Sequence, residues 1–130
     1  MQLTRKLAFV LLLASACNGP FYMIPGGEFS GPSETELPND FAFLESGVFE
    51  LETRPEDPYS VELNYVVREG KLYIDPAEGR SWLSHLRRDP RVRARIQGKI
   101  YPLQAVLVET ASEREGFAAD RFVYRLDARE

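Results

Sequence analysis

The fold of this 130-residue chain is decided by residues 82–101, which read WLSHLRRDPRVRARIQGKIY. The first half has the apolar spacing of a short helix, and Pro90 ends it because proline lacks the N–H that a helix interior needs. From Arg91 onward, arginines alternate strictly with apolar residues, which predicts a strand with one buried face and one cationic face. Gln97-Gly98 predicts a two-residue hairpin turn, after which Lys99 begins the return strand.

The two faces of this strand predict different surroundings. The apolar side chains are expected to face the core, and they are Val92, Ala94 and Ile96. The outward side chains are Arg91, Arg93 and Arg95. A cationic face either meets solvent and neighbouring carboxylates or holds an anion, and guanidinium groups suit phosphate. The sequence leaves both interpretations open.

The same alternation of apolar and polar residues predicts the remaining strands. Further strands are expected at 48–53, 60–68, 71–75, 99–108 and 121–126. Glu69-Gly70 predicts a second hairpin turn, and Ser81 is expected to cap the helix that contains Trp82. A second helix is expected over 110–120, where Ser112 and Glu115 have capping-box spacing. Six strands and two short helices predict a mainly β fold, a small antiparallel barrel, because closure removes exposed strand edges.

Composition and charge limit the function. With 44% hydrophobic and 28% charged residues, the chain is an ordinary globular domain, and its net charge of −4 argues against a general nucleic-acid binder. Nine acids against one arginine lie in 28–57, whereas seven bases against one aspartate lie in 80–99. These segments are expected to neutralise each other, unless the basic one binds an anion.

The first residues have the layout of an export signal. Arg5 and Lys6 precede an apolar run over 7–13, and small residues lead to Cys17. The run is too short to span a bilayer. Residues 1–16 are therefore expected to be a signal peptide.

The segment around the single cysteine, Leu13-Ala14-Ser15-Ala16-Cys17, resembles the lipobox of bacterial lipoproteins. In that class a signal peptidase cuts before the cysteine, and its thiol carries diacylglycerol. The resemblance implies lipidation at Cys17 and attachment to a membrane surface of the cell envelope. Because Asn18 differs from the aspartate that favours inner-membrane retention, the outer membrane is expected in an organism with two membranes. The alternative is an ordinary secretory signal with an incidental cysteine.

The mature chain is expected to have two parts. Residues 17–40 are rich in proline and glycine and predict a tether, in which the apolar Phe21–Ile24 stretch could instead dock on the domain. Residues 41–130 are expected to form the barrel domain. A lone His85, without a nearby cysteine or second histidine, predicts no metal site.

Between residues 48 and 115, the order of strand, hairpin and acidic helix resembles the split β-barrel proteins that bind flavin or deazaflavin, in particular the deazaflavin-dependent nitroreductase family. The residues that carry the resemblance are Trp82, Leu86, Asp89-Pro90, Arg91-Val92, Arg95-Ile96, Gly98-Lys99, Tyr101 and Ala105. It implies an FMN or deazaflavin cofactor and a homodimer with the cofactor between the subunits. The implied cofactor contacts are Arg54, Lys71, Arg91 and Arg93 for the phosphate and Trp82 for the ring.

The chain departs from that family after the first strand. Thr53-Arg54-Pro55-Glu56-Asp57-Pro58 stands in place of a Gly-Arg-Lys-Ser-Gly type loop, and Arg54 corresponds to its basic residue. Two functions therefore stay open. One is a flavin- or deazaflavin-dependent oxidoreductase, whose catalytic residues the sequence does not indicate. The other is a non-catalytic envelope lipoprotein that uses the barrel to bind a ligand or protein and holds no cofactor. Trp82 is likewise either a ring contact or a core anchor.

Replacement of the cysteine tests the lipid anchor. We expect intact-mass spectrometry of the wild-type protein, purified from bacterial membranes, to show added diacylglycerol, and Cys17→Ala to lack it because the thiol is gone. Ser15→Ala alters the same motif, keeps the thiol and should retain the lipid. A wild-type chain with an unmodified thiol would contradict the prediction.

Overall fold

The computed structural model describes residues 19–21 and 24–129. The predicted signal peptide and Cys17 lie outside the described residues, as do Tyr22, Met23 and Glu130. Within the described ranges, no helix has the length and apolar character needed to cross a bilayer.

The described residues form a closed barrel of six antiparallel strands. The strands are β1 (Gly47–Thr53), β2 (Tyr59–Arg68), β3 (Lys71–Ile74), β4 (Arg91–Ile96), β5 (Lys99–Leu107) and β6 (Tyr124–Ala128). Their order around the barrel is β1-β2-β3-β6-β5-β4, and β4 pairs with β1 to close it. Two short helices, α1 (Ser81–Arg88) and α2 (Ala111–Arg114), complete the fold. The predicted mainly β, six-stranded antiparallel barrel is confirmed.

Both predicted hairpin turns are present. Glu69 and Gly70 have φ angles of 50° and 74°, and Gln97 and Gly98 have φ angles of 53° and 79°. Positive φ at both central positions is what a type I′ turn requires, and it matches the right-handed twist of the flanking strands. The turns therefore fix the register of β2 with β3 and of β4 with β5.

The strand alternation also holds. Val92, Ala94 and Ile96 of β4 are buried, as are Phe49 and Leu51 of β1. The barrel interior is filled by the inward side chains of all six strands, including Tyr65, Leu72, Ile74, Leu103, Ala105, Tyr124 and Leu126. This apolar interior is the main source of stability, because the described residues carry no disulfide and must rely on burial.

Each end of the barrel is covered by a connecting segment. At the end where β1 finishes, α1 packs with Leu83 and Leu86 buried. At the opposite end, the N–H of Phe41 donates to the carbonyl of Gly70 at 2.8 Å. The ring of Phe41 also meets Tyr101 edge to face, with the centroids 5.8 Å apart. Both caps keep water from the interior.

The first helix begins differently from the prediction. Arg80 occupies the N-cap with extended backbone, and among the described residues no side chain caps the helix. Ser81 is the first helical residue, so its predicted capping role is wrong. The start is set by the buried positions of Leu83 and Leu86, which fix how α1 sits on the barrel.

The second helix is much shorter than predicted. It covers Ala111–Arg114 only, because Glu115 leaves the helical region with ψ of 132° and Gly116 takes a φ of 88°. Thr110 holds the N-cap without a side-chain hydrogen bond, so the predicted capping box is wrong. The last strand begins at Tyr124, three residues later than predicted.

Residues 24–40, here called the N-terminal segment, contact the barrel at several points within the stretch predicted as a tether. Gly26 and Ser60 exchange two backbone hydrogen bonds of 2.9 Å. Phe29 is buried, and the N–H of Glu34 donates to the carbonyl of Ile100 at 2.7 Å. The burial of Phe29 and these backbone hydrogen bonds offset the entropic cost of ordering a proline- and glycine-rich stretch.

Two leucines of β5 provide a matched test of the core. Leu103 is fully buried and Leu107 is 44% exposed. We expect Leu103→Ala to lower the free energy of unfolding by about 2–5 kcal/mol, because it leaves a cavity. Leu107→Ala should cost under about 1 kcal/mol. Urea unfolding of both variants measures this, and equal costs would contradict the barrel interior described above.

Candidate functional site

The outward arginines of β4 are each paired with a carboxylate. The pairs are Arg91 with Asp89 at 2.7 Å, Arg93 with Glu52 at 2.7 Å and Arg95 with Glu50 at 2.6 Å. The register of β1 against β4 sets the last two pairs, since Glu52 lies opposite Arg93 and Glu50 lies opposite Arg95. Of the two open interpretations of this face, the structure has the one in which acids neutralise the bases.

The pair between Glu52 and Arg93 is the most buried of the three. The Glu52 carboxylate accepts from Nε and Nη2 of Arg93 at 2.7 and 2.8 Å and from the N–H of Phe29 at 2.6 Å. The hydrogen bonds to Glu52 raise the pKa of the Arg93 guanidinium. This bidentate geometry uses the donors that would otherwise grip a phosphate.

The N-terminal segment covers this face of the barrel. The ring of Phe29 lies 4.6 Å from the guanidinium carbon of Arg95 and 5.8 Å from that of Arg93. Cations over an aromatic face are attracted by the ring quadrupole. Ser33 adds a 3.4 Å hydrogen bond from Nη1 of Arg93. Arg93 and Arg95 are thus covered by groups of the protein itself, whereas the side chain of Arg91 is 48% exposed.

The sequence-predicted cofactor contacts lie in three separate places. Arg91 and Arg93 lie together on β4, whereas Lys71 begins β3, three strands away in either direction around the barrel. Arg54 lies in the loop after β1, where its Nε donates to the carbonyl of Asp57 at 2.6 Å. Trp82 lies on α1, at the same end of the barrel as Arg54. Cofactor contact by these five residues stays a prediction.

A cleft of about 390 Å³ opens beside β2 and is here called the split cleft. It forms because β3 pairs with β2 only at Val66–Arg68. Along the same edge, the first half of β2 has no other partner strand among the described residues and makes a single bridge, to Gly26. The connection into α1 forms the opposite wall. The apolar lining comes from Ile24, Pro25, Tyr59, Val61, Leu63, Pro76 and Trp82. The polar lining includes Glu62, Asn64, Asp75, Arg80, Ser81 and Arg121.

The polar wall brings a helix N-terminus and a cation together. The first N–H groups of α1 have no carbonyl within the helix to bind, and no described side chain caps them. Arg80 precedes them and makes no side-chain hydrogen bond or ion pair with the residues the structure describes. Nη1 of Arg121 donates to the backbone carbonyl of Asp75 at 3.1 Å. Helix N-termini and free guanidinium groups both favour anions.

A histidine with a defined hydrogen-bond role lies behind the apolar wall. The hydroxyl of Thr53 donates its single proton to the carbonyl of Tyr59 at 3.1 Å, so it accepts from Nδ1 of His85 at 3.0 Å. The neutral ring is therefore assigned as the Nδ1–H tautomer. His85 meets the Tyr59 ring edge to face at 4.9 Å. Burial lowers the pKa of the His85 imidazole, and Arg54 and Arg88 lower it further.

The described residues hold no group of three or more His, Cys, Asp or Glu side chains arranged to bind a metal ion. The split cleft offers an aromatic wall, charged groups at its rim and the N-terminus of α1.

Comparison with known proteins defines the class of fold. No protein-family model and no curated protein matches the chain. An FAD-binding protein from Mesorhizobium loti has a similar structure, with 18% identity, a TM-score of 0.50 and coverage of 64% of this chain and 81% of that one. A protein from Listeria innocua assigned as a pyridoxamine 5′-phosphate oxidase is 14% identical, with a TM-score of 0.52 and coverage of 69% and 88%. The chain has the split β-barrel fold, and at these identities the likeness shows the fold alone.

Sequence reasoning identified Trp82 but missed most of the cleft. Val61 and Leu63 looked like ordinary strand residues, and Tyr59 lay just before the predicted strand. Their exposure to a cleft follows from the shortness of β3. Arg80 could have been found, because it is a basic residue directly before a predicted helix start.

The single histidine of the chain makes a pH test specific. Its folded pKa lies below the ordinary value of 6.5. When the pH falls below 6.5, His85 takes up a proton in the unfolded chain before it does so in the folded protein. The contribution of the neutral imidazole to the free energy of unfolding is therefore complete above that pH and is lost as the pH falls further. We expect the unfolding free energy to fall between about pH 7.5 and 5.5, and this slope to shrink in His85→Asn. Asparagine keeps a donor toward Thr53, so parallel curves for the two proteins would contradict the prediction.

Proposed function

We propose that this protein binds a flavin-type cofactor in the split cleft and works as an oxidoreductase of the split-barrel group. The observation that carries the proposal is the convergence of an aromatic and aliphatic wall with the N-terminus of α1 and the cation Arg80, neither of which has a side-chain partner among the described residues. Flat aromatic ligands with a phosphate tail match that combination. Two structural neighbours carry names that refer to FAD binding and to pyridoxamine 5′-phosphate oxidation, which supports the same class of ligand.

The ring of the cofactor would lie against Trp82 and Tyr59. Both line the cleft and are half-buried, so each offers ring surface. Val61 and Leu63 extend the apolar wall along β2. The volume of about 390 Å³ falls within the range of small-molecule sites. Stacking and apolar contact would hold the ring and exclude water from one of its faces.

The phosphate would lie at the start of α1. Arg80 supplies a charged donor there, and the N–H groups of Ser81 and Trp82 point along the helix axis toward the same region. Glu62 and Asp75 also line the cleft and would repel a phosphate elsewhere along it. The charges thus favour one orientation, with the phosphate toward α1 and the ring along β2.

This location differs from the phosphate contacts that the resemblance implied. The donors of Arg93 are engaged by Glu52, and Arg91 is held by Asp89. Arg80 has no such partner among the described residues. A bound flavin would supply reversible two-electron chemistry. The chain would contribute binding, orientation and shielding from water.

The finer assignments extend this proposal. The resemblance to deazaflavin-dependent nitroreductases makes the deazaflavin cofactor a second ligand to test beside FMN, and it implies a homodimer. The lipobox resemblance supports an envelope protein anchored through Cys17, at the outer membrane where two membranes exist. These proposals are independent of one another, so each can fail without the others.

The second candidate is a non-catalytic envelope lipoprotein. The observation in its favour is that the protein itself covers Arg93 and Arg95, through the carboxylates of Glu50 and Glu52 and the ring of Phe29. A barrel that no longer gripped a phosphate on β4 would keep its fold for another ligand or a protein partner.

Titration of the purified protein with FMN and with the deazaflavin cofactor tests the proposal. We expect binding that Arg80→Ala weakens by about 10- to 100-fold, because a hydrogen bond to a charged group contributes roughly 1.5–3 kcal/mol. Trp82→Leu should also weaken it. Arg88→Ala is the matched control, since it removes an exposed cation from the far end of the same helix. Ligand fluorescence and absorbance report the affinity.

Two other results would change the conclusion. Binding that Arg91→Ala weakens and Arg80→Ala leaves unchanged would locate the phosphate on β4 and overturn the cleft. Absence of binding to either cofactor would overturn the oxidoreductase and favour the second candidate.

A further inference from the structure

The chain is already in contact with the barrel two residues after the predicted lipidation site. Pro20 is buried. A Cβ atom on Gly19 would lie 2.9 Å from Nη2 of Arg95 and 3.6 Å from Oε2 of Glu50. The backbone at Gly19 therefore lies directly over the ion pair that joins β4 to β1. Two residues of chain span at most about 7 Å, so no long spacer separates Cys17 from the barrel.

Two large apolar side chains follow immediately and are exposed. Phe21 is 68% exposed and Ile24 is 65% exposed, the highest values among the large hydrophobic residues described. Their backbones are tied by two hydrogen bonds, from the N–H of Phe21 to the carbonyl of Ile24 at 3.0 Å and the reverse at 2.9 Å. Directly opposite residues of an antiparallel bridge present their side chains on the same face. Phe21 and Ile24 thus form one apolar projection.

The position of this projection identifies its partner. Full burial of one such side chain contributes about 1.5–3 kcal/mol, and side chains as exposed as these two gain only part of it within the domain. Phe21 is four residues from Cys17, a chain length of at most about 14 Å. Acyl chains on that cysteine would bring a bilayer surface within reach of the projection. The bridge between Gly26 and Ser60 holds this part of the chain beside β2, whereas the exposed Leu107 lies on β5, on the opposite side of the barrel.

We propose that Phe21 and Ile24 insert into the membrane surface beside the lipid anchor. This inference rests on the proposed lipidation of Cys17. The contact with Gly19 then holds the barrel close to the bilayer, in one orientation, with the β1 and β4 side nearest the anchor. Ile24 also lines the split cleft, so the mouth of the cleft lies beside the bilayer, where amphiphilic ligands are concentrated.

Tryptophan replacements in the full chain test the contact. Phe21→Trp, Ile24→Trp and the control Leu107→Trp are purified with their lipid from bacterial membranes and reconstituted into phosphatidylcholine vesicles, with or without bromine on the acyl chains. Fluorescence of the wild-type protein, which reports Trp82, is subtracted. We expect the first two variants to emit at shorter wavelength and to lose fluorescence on the brominated lipid. Leu107→Trp should do neither.

The mass of the purified chain separates the two proposals. A lipid-modified Cys17 together with equal quenching at positions 21, 24 and 107 overturns the membrane contact and leaves the anchor standing. An unmodified Cys17 overturns both. Stronger quenching at 21 and 24 than at 107, in the modified protein, supports the contact.

Discussion

The ion pair between Glu52 and Arg93 links the closure of the barrel to the N-terminal segment. It joins the two strands whose pairing closes the barrel, and the same carboxylate accepts the backbone N–H of Phe29. A charge taken out of water at this position is tolerable only because every partner is present. Pairing of β1 with β4, neutralisation of Arg93 and attachment of the N-terminal segment are therefore coupled through one carboxylate.

That coupling has a consequence for function. An arginine-rich strand is the obvious place for a phosphate, yet a guanidinium that already makes a bidentate contact with a carboxylate has lost the donors that a phosphate would use. The concave space lies elsewhere, where β3 is too short to pair with the first half of β2 and the start of α1 faces the gap. The split in the barrel thus provides both an apolar wall and a source of positive charge.

The N-terminal segment changes how the domain would sit in an envelope. Residues that look like a solvated spacer follow the barrel surface, held by the Gly26–Ser60 bridge and by Phe29 beneath two guanidinium groups. A lipid on Cys17 would then restrict the orientation of the barrel as well as its location. The same segment contributes Ile24 and Pro25 to the split cleft, so the proposed lipid anchor and the proposed ligand site would lie close together.

The strands and both hairpin turns could be predicted without the structure, apart from the start of β6, because they depend on local alternation and on glycine at positions of positive φ. The helix ends were less predictable, since burial of Leu83 and a bend at Gly116 set them, and Ser81 did not act as a cap. For the candidate site, the sequence supplied Trp82 and suggested the arginines of β4. The pairing of Glu52 with Arg93, and the cleft that Tyr59, Val61 and Arg80 share with Trp82, became visible in the folded structure alone. Those outcomes depend on which strands become neighbours and where pairing stops, and no local pattern carries that information.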